Sequence, residues 1–93
     1  MSPEEIKASA YKSIKEQLDS LFAKGGIPNL RAFQKIIRDL RKRIKLLDGG
    51  TAFFARSLED VEKAQLQSAR LSGQLQAYKE RYDWIRAKLK ETA

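Results

Sequence analysis

Apolar residues in the last two-fifths of the chain recur in threes and fours. Val61, Ala64, Ser68, Leu71, Leu75, Tyr78, Tyr82, Ile85 and Leu89 step alternately by three and four, and no proline interrupts Thr51 to Leu89. This is a heptad seam, the pattern of a helix lying along another helix. At 1.5 Å per residue the segment would be about 60 Å long. The rest of the chain holds two shorter patterns of the same kind. Ile6, Ala10, Ile14, Leu18, Leu21 and Phe22 share one helical face, with Tyr11 at its border. Phe33, Ile37, Leu40, Ile44 and Leu47 step 4, 3, 4, 3, and Ile36 widens that stripe.

The punctuation between the stripes predicts where the helices start and stop. Ser2-Pro3-Glu4-Glu5 reads as a capped start, with Ser2 as cap, Pro3 in the first turn and Glu5 completing a capping box. Gly25-Gly26 predicts the end of the first helix, with Lys24 in its last turn. Pro28 bars Ile27 from helical geometry, and Asn29 is a good cap for the second helix. Asp48-Gly49-Gly50-Thr51 predicts a glycine C-cap and a third helix capped by Thr51. Ser57, three residues before Asp60, is a rival cap, and Ala52-Phe53-Phe54-Ala55 would then be a short turn. The expected helices are 3–24, 30–47 and 52–91, in one domain.

Short connections favour antiparallel neighbours. The expected fold is therefore all-α: an antiparallel helical hairpin followed by a long third helix, a coiled-coil-like three-helix architecture. A third helix near twice the length of the others would overhang them. Its second half carries the large seam residues, and leaving each wet would forfeit about 1.5–3 kcal/mol. That half is expected to be buried by a second copy, most simply in a dimer, through Leu71, Leu75, Tyr78, Tyr82, Trp84, Ile85 and Leu89. Ala69, Gly73 and Ala77 recur every four residues on one face, as do Ala64, Ser68 and Ser72 on an adjacent one. Small residues at this spacing let backbones approach closely. Gly73 is also a candidate kink.

Charge changes the picture in one place. The net charge is +7, and residues 25–50 alone carry seven bases against Asp39 and Asp48. Arg31, Lys35, Arg38, Lys42 and Lys45 step 4, 3, 4, 3, two residues out of phase with the apolar stripe of the second helix. Two residues are about 200° on a helix, so the stripes lie on opposite faces. Arg41 and Arg43 add charge on the flanks. This row, about 21 Å long, is either a solvated face or a contact for an acidic protein or nucleic-acid phosphates. No asparagine or glutamine interleaves with the arginines on the basic face to read base edges, so nucleic-acid binding would be non-specific. A membrane surface fits less well, because the apolar face already has a use inside the hairpin. Trp84, off the seam on the side of Arg81 and Lys88, either covers the seam's edge or packs on a lysine stem, or else stacks a base or anchors a partner. Of Phe53 and Phe54, one is expected to plug the hairpin's end and the other to be either a core residue of a dimer or an exposed contact.

Composition removes most chemistry. The chain has 93 residues and neither cysteine nor histidine, so disulfides, thiolate metal sites and the commonest general base are all missing. Glu59, Asp60 and Glu62 sit where acids favour a helix start. No phosphate-binding glycine loop is present. An enzyme is not expected, nor any metal or cofactor. No apolar run reaches the ~20 residues of a membrane span. The opening Met1-Ser2-Pro3-Glu4-Glu5 is the reverse of a secretory signal, which makes cytoplasmic placement the default. The function expected is a non-catalytic helical scaffold, adaptor or chaperone-like module with a basic face. The alternative is a nucleic-acid-binding protein contacting the phosphate backbone.

Overall fold

The computed structural model describes residues 2–25, 29–54 and 56–92, without the side chains of 51–54 and 92. The described residues form three helices: α1 (Pro3–Ala23), α2 (Leu30–Phe54) and α3 (Leu58–Thr92). The chain is all-α, a helical bundle in which the long α3 packs against both others. Expectations placed on Gly26, Ile27, Pro28 and Ala55, and on the side chains of Thr51, Phe53 and Phe54, lie outside the described residues.

The caps explain the boundaries. Ser2 Oγ accepts the Glu5 N–H at 3.2 Å. Asn29 Oδ1 accepts the Arg31 N–H at 2.9 Å and starts α2. Gly25 ends α1 with φ +81°, a conformation that favours glycine, while its N–H bonds the Phe22 carbonyl at 3.0 Å.

The expected break at Gly49-Gly50 does not occur, and α2 runs on to Phe54. Neither glycine has a positive φ, and each costs a helix only about 1 kcal/mol against alanine. The better helix start lies later. Ser57 Oγ accepts the Asp60 N–H, and Asp60 Oδ2 accepts the Arg56 N–H, both at 3.2 Å. This reciprocal cap outcompetes the glycine pair as the place to turn.

That shift changes the register of the whole bundle. α2 runs antiparallel to α3: Phe33 meets Tyr78, Gln34 meets Tyr82, and Asp48 meets Ser68. α1 runs parallel to α3: Lys7 and Ala10 lie on Gly73, Tyr11 bonds Glu80, and Phe22 meets Trp84. The second half of α3 is therefore covered within the chain, by α1 and by the start of α2. The overhang anticipated there is not present, because the longer α2 uses the first part of α3 as its partner. The end that lacks α1 is the opposite one, where Leu46 and Leu58 are 65% and 81% exposed. With 35 residues α3 spans about 52 Å, the 52 Å long dimension of the molecule, whereas the 21 residues of α1 reach only about 31 Å.

The core is thin. Leu18, Phe33 and Ile85, one from each helix, form its centre, with Ile14, Phe22, Leu30, Tyr78 and Tyr82 packed around them. Ile37, Leu40 and Ala77 are buried as well. The small-residue face of α3 is the seat of α1. A Cβ on Gly73 would sit far inside contact distance of the Lys7 carbonyl oxygen and 3.1 Å from the Ala10 Cβ. Gly73 is thus where two backbones cross, and α3 continues through it without a break.

Two classes of glycine follow. Gly73→Ala should lose roughly 1–2 kcal/mol in urea unfolding, because the clash outweighs the ~1 kcal/mol gained in helix propensity. Gly49 and Gly50 have open space around them. Gly49→Ala and Gly50→Ala should each gain about 0.5–1 kcal/mol. A loss at Gly49 or Gly50 would place the turn there after all.

Candidate anion-binding face

The apolar stripe of α2 is turned onto α3. Phe33, Ile37 and Leu40 are buried, and Ile36, Ile44 and Leu47 are half-buried. Helical geometry then pushes the bases outward. Arg31, Lys35, Arg38, Arg41, Lys42, Arg43 and Lys45 are all exposed. None of these side chains forms an ion pair with a carboxylate among the described residues. The pairs that do form lie elsewhere: Lys63 with Glu59, Arg81 with Asp19, and Lys88 with Glu91.

Two of the bases do more than face solvent. Arg38 and Arg41 line one wall of a groove of about 340 Å³ between α2 and α3, and Lys79 and Tyr82 line the other. Gln34 Nε2 donates to the Tyr82 hydroxyl oxygen at 2.7 Å across the groove. Asp83 is the carboxylate on its edge. Arg86 stands 5.7 Å from the centre of the Tyr82 ring, a further positive charge beside the same aromatic. Lys79 and the Tyr82 hydroxyl escaped notice in the sequence because the α2 stripe does not say which side of α3 its flank will meet. The Tyr82 position was readable as seam; its hydroxyl's role needed the register.

The residues expected to meet a second copy are placed differently. Ile85 is buried in the core, Tyr78 and Tyr82 pack against it, and Leu71 and Leu75 are half-buried. Trp84 and Leu89 are 48% and 52% exposed. Trp84 meets Phe22 of α1 edge to face, ring centroids 6.0 Å apart. The Arg81 guanidinium lies 4.4 Å from the Phe22 ring and 5.2 Å from Trp84, and bonds Asp19. Lys88 stands 5.6 Å from Trp84 on α3 itself. This cluster fastens the end of α1 to α3. Tyr11 makes a second tie, donating to Glu80, whose other oxygen accepts from Gln76 at 3.3 Å. The bond to Glu80, then desolvation and the charges of Glu80 and Asp19, raise the Tyr11 pKa. Because the folded-state value is the higher one, this tie is complete below the unfolded phenol pKa. It is lost as pH rises through the folded value.

Two of the acids near the start of α3 have structural roles: Glu59 pairs with Lys63 at 3.1 Å and Asp60 caps. Among the described residues, no three His, Cys, Asp or Glu side chains group as metal ligands would, and no helix is long and apolar enough to cross a membrane. Comparison with protein-family models, curated proteins and solved structures finds no match.

The bases thus divide into structural and free. Arg81→Gln should lower stability by about 1–2 kcal/mol, since it removes a half-buried cation from between two rings, and shift Tm down by about 4–15 °C. Lys35→Gln with Lys42→Gln should change stability by less than about 0.5 kcal/mol. A calorimetric scan in which the double variant melts as early as Arg81→Gln would show the row to be structural.

Proposed function

We propose that this chain is a non-catalytic helical interaction module whose α2 face binds an anionic partner. The observation that supports it most is the exposed row Arg31, Lys35, Arg38, Lys42 and Lys45, without a carboxylate partner among the described residues. Carboxylates are available in the chain, yet the ion pairs formed involve other bases. Positive charge held in a row and unneutralised raises the local concentration of anions and speeds their encounter.

Two partner classes suit such a row: an acidic protein surface and the phosphate backbone of a nucleic acid. Gln34, the amide that lines the groove with Arg38 and Arg41, is engaged with Tyr82, which favours a nucleic acid met through its backbone and not its base edges. Self-association through the second half of α3 loses its first motive, because that half is covered in the chain. A dimer stays part of the proposal only through Trp84 and Leu89, each about half exposed.

The test is a titration against polyglutamate, random duplex DNA and single-stranded RNA, by fluorescence anisotropy, at low and near-physiological salt. At least one polyanion should bind, more weakly as salt rises, and Lys35→Gln with Lys42→Gln should weaken it by an order of magnitude or more. No binding to any polyanion at low salt would refute the reading.

A further inference from the structure

The groove between α2 and α3 narrows the choice of partner. We propose that it seats one phosphate of a nucleic-acid strand, whose neighbouring phosphates run along the α2 row. This rests on the reading of α2 as an anion-facing surface and goes beyond it in naming the ligand and adding α3 residues to the site.

The donors decide the ligand. Arg38 and Arg41 come from one wall, and Lys79 and the Tyr82 hydroxyl from the other. The Tyr82 oxygen accepts from Gln34, so its own proton is left to donate, and it has no acceptor among the described residues. Donor groups on both walls suit a tetrahedral oxyanion, which offers acceptor oxygens in every direction. A carboxylate, with two oxygens in one plane, offers fewer acceptor directions. Guanidinium groups bind phosphate oxygens in pairs, which a point charge such as Lys79 supplements. Three bases against Asp83 leave the groove at +2, enough for a phosphodiester without repelling the next one along.

The surroundings favour a phosphate strand over a lipid surface. A helix that binds a bilayer needs apolar side chains beside its bases. Phe33, Ile37 and Leu40 are buried on α3 and Ile36, Ile44 and Leu47 are half-buried, and the exposed Leu46 is little apolar surface for such a contact. The row is about 21 Å long in all and continues past the groove at either end, so several phosphates of one strand can be met at once.

The experiment measures binding of the full chain to a labelled single-stranded oligothymidylate, to its duplex with oligoadenylate, and to polyglutamate, each over a salt series. The deciding variant is Lys79→Gln, an exposed residue outside the α2 row whose loss should leave melting unchanged. It should weaken nucleic-acid binding roughly five- to eightfold at 0.1 M salt and lower the salt slope by about 0.7 on single strand or 0.9 on duplex. Tyr82→Phe should weaken binding with the slope unchanged, since it removes a donor and no charge. Whichever nucleic acid responds identifies the form of strand. If Lys35→Gln with Lys42→Gln weakens binding and Lys79→Gln does not, the groove is not a phosphate seat and the anion-facing reading stands. Binding to polyglutamate alone would overturn the phosphate seat in the same way. No binding to any of the three overturns both.

Discussion

The crossing of α1 over Gly73 is the contact on which the rest depends. The Lys7 carbonyl comes so close to α3 that no side chain fits between them. A single missing Cβ therefore lets a whole helix seat itself. Ala77, one turn along, is buried on the same face. Once α1 is seated there, the remaining ties follow in line: Tyr11 to Glu80, Asp19 to Arg81, and Phe22 to Trp84. The last of these brings Leu18 to Ile85 and Phe33, where all three helices meet. A core this thin has little to spare, so an error at the crossing would be felt at its centre.

Seating α1 on one side of α3 and α2 on another also decides what the surface is for. α3 uses two faces on its own chain, and α2 uses one. The outer face of α2 is then free to carry charge that no fold contact requires. Arg81 shows the contrast: a base of the same type, held between Phe22 and Trp84 and bonded to Asp19, serves the fold. Arg38 and Arg41 occupy an open groove with a phenol and a lysine opposite. Their position at the seam between two helices sets them apart from charges that merely solvate a helix.

Much of this was readable from residue order. The three helices, the caps at Ser2 and Asn29, the turn at Gly25 and the outward row on α2 all follow from local rules with short reach. The turn after α2 carried two local signals, Gly49-Gly50 and the Ser57 cap, which residue order does not rank: the glycine pair is the more conspicuous and has the weaker energy behind it. About 1 kcal/mol per glycine is easily overridden by a reciprocal cap a few residues on. The register followed from that turn, so the supposed overhang of α3 fell at the wrong end. The seat of α1 was hard to see for another reason. Ala69, Gly73 and Ala77 present almost no hydrophobic signal, and closeness of approach, not burial of large side chains, makes them an interface. Lys79 could be added to the candidate site only once the register placed it across from Arg38 and Arg41.

The central claim is that α1 covers the second half of α3 within one chain. It is tested most directly by a pulsed electron-resonance distance between spin labels at Ser9→Cys and Gln74→Cys, which line one surface depression. The chain has no cysteine of its own, so the labels are unambiguous. Packed helices lie about 8–10 Å apart, so a single short distance is predicted, unchanged when labelled chain is diluted into an excess of unlabelled chain. A long distance, or a short one that disappears on dilution, would show that α1 lies elsewhere or that another copy supplies the cover.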